Sequence, residues 1–265
     1  TQDLSVPGQP PLALRVWGQK PRGAALPLVL HFHGGAFVSG DLDSGACLAE
    51  LLASAGAVVA SLAYPLAPEH RFPDAVEAGH TALEWLYKQR TRLAGAGAPL
   101  FVAGDEAGGN IAAAVAMMVR DRAHPPLAGQ ILVAPMLDPC NATASLRQTM
   151  GEATGCKWMD GWQQYLRGPM DAEHPYAVPC RAQRLVGLPP TLILTGGDDP
   201  MRDEAMAYAD RLRSAGIEVH SGVLSPNTGW PDSLSESPTE ACPCAAEVRE
   251  RLRAFYLAAT PPPPS

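Results

Sequence analysis

Short apolar runs alternate along this chain with longer stretches in which apolar residues return every three or four positions. The runs at 12–17 and 26–32 read as early strands, 42–55 as a helix and 57–63 as a buried strand. Residues 74–90 place Ala75, Ala78, Ala82, Leu83 and Leu86 on one stripe behind Pro73, which predicts an amphipathic helix. A strand at 99–103 leads into an alanine-rich helix at 110–122, and further strands follow at 130–135, 191–195 and 218–224. Helices at 202–214 and 247–259 complete the alternation. Strands separated by helices predict an α/β fold, with a mostly parallel sheet covered on both faces.

Residues 138–187 break the rhythm. They hold Trp158, Trp162, Tyr165, Tyr176 and the cysteines 140, 156 and 180, without strand periodicity. An insertion between two sheet strands is expected to arch over the carboxyl ends of the strands, where ligands bind. We therefore read 138–187 as a lid on a core formed by 1–137 and 188–260, with the proline run 261–265 as a disordered tail.

Length and composition narrow the class without naming the chemistry. A chain of 265 residues with 46% hydrophobic content can bury one large α/β core. A net charge of −7 argues against nucleic acid or an anionic membrane surface as the main partner. No apolar run reaches the roughly 20 residues a membrane span needs. The chain opens Thr1-Gln2-Asp3 with neither a signal segment nor an initiator Met, so the expectations are a cytoplasmic location and room for upstream residues removed or left out. Of the six cysteines only Cys242 and Cys244 are close, with a spacing that fits no common zinc pattern, so free thiols are expected and no metal or cofactor. The partner expected is a small molecule. Membrane insertion is not expected, and a homodimer is left open.

The chemistry concentrates at 104–110, which reads GDEAGGN between an apolar strand and a helix former. A strand passing through a glycine-flanked residue into a helix is the setting of a nucleophile elbow, the sharp turn that lifts one side chain above a parallel sheet. Gly104 and Gly108 supply the room such a turn requires. The lifted residue here is Glu106, a carboxylate where a hydroxyl would serve as nucleophile.

Four ordered motifs extend this picture over nearly the whole chain: HFHGGAFVSGD at 31–41, YPLAPEHRFPDA at 64–75, GDEAGGN at 104–110 and GGDDPMRDEAMAYADRL at 196–212. Together they resemble the hormone-sensitive-lipase-like branch of the α/β-hydrolase superfamily, which includes bacterial carboxylesterases and plant relatives. The resemblance implies an oxyanion hole at Gly34, Gly35 and the N–H of Ala107, and a triad acid at Asp199. It places the triad base in the loop Pro226-Asn227-Thr228-Gly229-Trp230, where Thr228 stands instead of histidine. Both nucleophile and base are then replaced while the hole and the acid remain. Thr228, Trp230 and Phe37 are the expected substrate-binding residues. His33, His70, Tyr64, Glu69 and Arg71 read as scaffold, and His174 is the one histidine whose lid position leaves a route to the site. The branch's amino-terminal cap helices do not appear in the sequence.

Three functions are compatible with these residues. Glu106 can act as a general acid or base, positioned by Asp199, in a cyclase, dehydratase or isomerase, activities that some plant relatives carry. It can instead fold back onto the N–H groups of its own oxyanion hole and leave a binding protein, as in a plant hormone receptor of this branch that has lost its histidine. The third possibility is a carboxylesterase-like hydrolase with an unorthodox mechanism. The first is the leading expectation from sequence.

Overall fold

The computed structural model describes residues 1–20, 23, 25–140, 142–150, 157–225, 228–236 and 244–259. The proline tail, Cys156, Cys242, Pro226 and Asn227 lie outside these residues. The fold is an α/β-hydrolase sheet of eight strands: β1 (Gln2–Val6), β2 (Leu12–Trp17), β3 (Leu28–Phe32), β4 (Val58–Leu62), β5 (Leu100–Asp105), β6 (Gly129–Val133), β7 (Thr191–Gly196) and β8 (Val219–Leu224). Their spatial order is β1-β2-β4-β3-β5-β6-β7-β8, with β1, β2 and β4 paired antiparallel and β4 through β8 parallel. β3, β4, β5 and β6 are buried along their full length, as fully covered parallel strands should be.

Among the described residues the helices run in the order α1 (Ala46–Ser54), α2 (Asp74–Leu93), α3 (Glu106–Arg122), α4 (Ala144–Met150), α5 (Lys157–Tyr165), α6 (Pro169–Ala172), α7 (Arg202–Ser214) and α8 (Asp232–Glu236). The final helix is α9 (Ala245–Ala259). One face of the sheet packs an apolar layer that includes Leu83, Leu86, Ile111, Val115 and Tyr208, from α2, α3 and α7. The other packs Leu48, Leu52, Val248 and Phe255, from α1 and α9. No helix among the described residues is long and apolar enough to cross a membrane.

Several boundaries differ from the sequence reading for local reasons. β1 is exposed along most of its length and carries no apolar period, so only its pairing with β2 makes it a strand. α1 begins at Ala46, not at 42, because the Asp41 carboxylate accepts the N–H groups of Asp43 and Ser44 in a turn that delays the helix. α3 begins at Glu106 itself, so Gly108 and Gly109 lie inside its first turns. The expectation of free thiols fails at Cys244, which is disulfide-bonded.

Strand order reverses between β3 and β5, whose register pairs Phe32 with Gly104. The loop after β3 and the turn after β5 therefore emerge side by side at the crevice where open α/β sheets bind ligands. Glycines make that approach possible. A β-carbon on Gly104 would overlap the backbone of Gly108, and one on Gly108 would overlap the carbonyl oxygens of Phe32 and His33. Both obstacles are backbone, so neither can rotate away. Gly108→Ala is accordingly expected to lower stability by about 1–3 kcal/mol, read as a lower midpoint in urea unfolding.

Candidate functional site

Glu106 adopts φ 50° at the junction of β5 and α3, a left-handed conformation that costs a non-glycine residue of order 1–3 kcal/mol. The turn is fixed from below, since the Glu106 carbonyl accepts the Met136 N–H at 2.9 Å. One turn further along α3, the Asn110 amide donates to the carbonyls of Met136 at 3.0 Å and Ala177 at 3.2 Å, tying the elbow helix to the segment between β6 and β7.

The loop after β3 faces this turn and has its own supports. The His33 ring donates from Nδ1 to the Gly34 carbonyl at 2.7 Å and stacks on Tyr64 with centroids 4.3 Å apart. The Tyr64 hydroxyl donates to the His33 carbonyl at 2.8 Å. Burial lowers the His33 pKa, and the bond to the Gly34 carbonyl opposes that shift only in part. Gly35 at φ 118°, Ala36 at 50° and Phe37 at 68° then curl the chain so that successive N–H groups point inward.

Those N–H groups already have a partner. Glu106 Oε2 accepts the N–H of Gly35 and, at 2.8 Å, that of Ala36, while Oε1 accepts the indole N–H of Trp158 at 2.5 Å. The side chain is 3% exposed. Each bond to an ionised acceptor is stronger than a neutral one, and the start of α3 adds a favourable field for a negative charge. The carboxylate thus lies in its own oxyanion hole.

The cradle differs from the expected trio of Gly34, Gly35 and Ala107. Its backbone donors are Gly35 and Ala36, and its third donor is Trp158 on α5. Gly34 instead packs against the carboxyl groups, where an added β-carbon would lie 2.6 Å from Asp105 Oδ2 and 3.1 Å from Glu106 Oε2. The Ala107 N–H makes no bond to the Glu106 carboxylate. Ala36 carries no signal of its own in the sequence beyond following the paired glycines, and Gly161 of α5 packs directly on its carbonyl. Nothing in the sequence separated Trp158 from the other aromatic residues of the segment.

Asp199 does not touch Glu106. Its carboxyl accepts the Thr195 hydroxyl and the Met201 N–H, the latter at 2.8 Å, and burial pushes its pKa up to about 7. Thr228 bonds Asp198 instead, through its N–H at 2.8 Å and its hydroxyl at 3.1 Å, and the Gly229 N–H donates to the other Asp198 oxygen at 2.8 Å. Asp198, half-buried in the turn after β7, is therefore the anchor of the 228–229 loop. Phe37 is buried against Tyr165, stacked with centroids 4.0 Å apart, and lines neither cavity of the site. His174 lies beside Phe72 and Tyr176, away from Glu106.

Two cavities open at this end of the sheet. One, of about 380 Å³, runs along the loop after β3 and is lined by Gly34 to Ala36, Asp105, Glu106, Lys157 and Asp232 among others. The second, of about 440 Å³, is lined by Trp158, Asp198, Asp199, Trp230 and Ser145, again with Asp232. Lys157 of the first cavity pairs with Asp232, which lines both, joining α5 to α8. Below the elbow a buried His31 bonds Ser61 at 3.0 Å and faces Asp105 at 3.5 Å, which supports the floor of the first cavity.

Comparison with known proteins gives a consistent assignment. Residues 29–226 match a family profile described as alpha/beta hydrolase fold. The chain is 36% identical over 229 residues to esterase LipI of Mycobacterium tuberculosis, covering 83% of this chain and 71% of that protein. It is also 36% identical over 213 residues to the gibberellin receptor GID1 of Oryza sativa subsp. japonica, covering 75% of this chain and 59% of the receptor. Among solved structures, a thermostable esterase from Pseudomonas putida ECU1011 superimposes with a TM-score of 0.85 at 30% identity, covering 98% of this chain and 83% of that one. The chain spans only part of each of these relatives.

Two measurements follow from the geometry. Glu106→Gln leaves one oxygen to accept and turns an amide donor toward one of the three N–H groups, so a loss of about 1.5–3 kcal/mol in urea unfolding is expected. Asp199 binds its proton more tightly in the folded chain than in the unfolded one. Its contribution to stability is therefore complete below the ordinary carboxylate range and is lost as pH rises toward about 7. Asp199→Asn should flatten that fall, seen as the difference between variant and parent in urea midpoints at pH 5 and pH 8. Glu204, also buried and held well above the usual range, slopes the same way and leaves a residue of pH dependence in the variant.

Proposed function

The chain belongs to the alpha/beta hydrolase fold family, in its hormone-sensitive-lipase-like branch, and we propose that within it this protein is a pseudo-hydrolase that binds a small molecule without cleaving it. The reading rests on one observation: the elbow carboxylate occupies the N–H cradle in which a hydrolase would stabilise a developing oxyanion. An ester carbonyl cannot enter that cradle while Glu106 fills it. With Thr228 where the family reading expects the base, no imidazole stands ready to activate a nucleophile. The similarity to a protein named as a receptor fits a fold of this branch turned to binding.

The proton-transfer role first expected of Glu106 finds little physical support. Its two oxygens are engaged by N–H donors on three sides, and Asp199, assigned to position it, is bonded to Thr195 and Met201 instead. A cyclase or isomerase would need the side chain to leave the cradle and abandon these bonds in every cycle.

A hydrolytic reading is favoured by the similarity to esterases such as LipI. The compartment also enters here: disulfides persist mainly in oxidising surroundings, so the bond at Cys244 weighs against the cytoplasmic location expected from the sequence.

The experiment is hydrolysis of 4-nitrophenyl butyrate. The parent protein should show no turnover above buffer. Glu106→Ser combined with Thr228→His frees the cradle and supplies nucleophile and base, and should gain roughly 10²-fold or more over the parent. Turnover by the parent that survives Glu106→Ala would replace the binding reading with the hydrolytic one.

A further inference from the structure

We propose that Trp158 is a specificity-determining residue whose indole divides the ligand space into two chambers and so restricts the protein to compact ligands. This inference rests on the binding reading above.

Trp158 is 5% exposed and lines the chamber of about 440 Å³ beside Asp199. Its N–H is bonded to Glu106, which lines the chamber of about 380 Å³ along the loop after β3. Pro231 and Asp232 line both chambers, so the two abut there, and the indole that lines one chamber is bonded to the carboxylate that lines the other. The neighbouring Lys157 faces the first chamber while Trp158 walls the second, which puts α5 on the boundary itself.

The wall is held in place from several directions. The bond to the buried carboxylate fixes one edge of the ring, and the Lys157 ammonium lies 5.0 Å from its centroid. Gly161, one turn on, seats α5 against the Ala36 carbonyl so closely that even a methyl group would be excluded. Trp162 and Tyr165 of the same helix pack on Phe37, with ring centroids 4.9 Å and 4.0 Å away. A ring so fixed does not swing aside to admit a longer molecule, since that would strand a buried charge and an indole N–H together.

A ligand for this site therefore fills one chamber. The Asp199 chamber offers two tryptophan side chains, Pro200 and Pro231 as walls, with Ser145, Gln148 and Arg202 at its polar positions. That lining suits a small molecule with one flat apolar portion and a polar edge. Removing the indole joins the chambers and lets an elongated molecule run from the Asp199 side to the loop after β3.

The test uses two amides that share a head group and differ in length, 4-nitroacetanilide and 4-nitrohexananilide, titrated calorimetrically into the parent protein, Trp158→Ala and Trp158→Phe. The expected result is that the parent binds the short amide and discriminates against the long one. Trp158→Ala should shift the preference toward the long amide by at least about tenfold relative to the parent, because the long amide gains the second chamber while both amides lose the same indole wall. Trp158→Phe keeps most of the wall and loses only the N–H, and should retain the parent's discrimination. Far-UV circular dichroism checks folding, and Trp158→Leu takes the place of the alanine variant should that fail to fold. Equal binding of both amides by the parent, or no shift of preference in Trp158→Ala, overturns the partition alone. Failure of every one of these proteins to bind either amide overturns the partition together with the binding reading beneath it.

Discussion

A carboxylate lodged among three N–H donors governs this end of the molecule. It draws together the elbow after β5, the loop after β3 and helix α5, elements far apart in sequence. The left-handed backbone at Glu106, Ala36 and Phe37 is strained. The bonds to the ionised oxygens offset that strain. A buried charge is tolerated when every lone pair facing the interior finds a donor, and here the sheet geometry supplies two donors and the inserted segment the third.

The same contact explains why the inserted segment sits where it does. α5 carries the donor that completes the cradle, and its small residue at 161 lets it approach the loop backbone. Around that seat the aromatic cluster of Phe37, Trp162 and Tyr165 buries the apolar face of the helix, while Lys157 reaches out to Asp232. In addition to the Asn110 bond to Ala177 further along, the segment is thus held at α5 by one buried charge and one surface ion pair. Of the two, the buried contact carries more energy, because an exposed pair contributes little in water.

How much of this was legible from the residues alone divides along physical lines. The core strands and long helices showed in the hydrophobic pattern because burial on both faces demands it, and the elbow showed because its glycines are required by close approach. β1 was hidden, since an exposed edge strand has no apolar period to betray it. The third donor was hidden for another reason: an indole reaching across the fold depends on how α5 docks, and docking is set by tertiary contacts such as Gly161 on Ala36. The idea that Asp199 steadies Glu106 came from the order of motifs along the chain. The structure instead gives Asp199 its own partners in Thr195 and Met201, and it gives Asp198 to Thr228. Neighbouring carboxylates with different allegiances are not distinguishable without coordinates.

The loop that begins at His33 is braced by its own ring, by the Tyr64 hydroxyl and by turns closing on the Gly35 carbonyl, none of which involves residue 106. Its inward-pointing amides are therefore a standing feature, with Glu106 as a tethered plug. Shortening that plug to a methyl group would leave a polar vacancy about the size of acetate, and a dissolved anion would settle there in its stead.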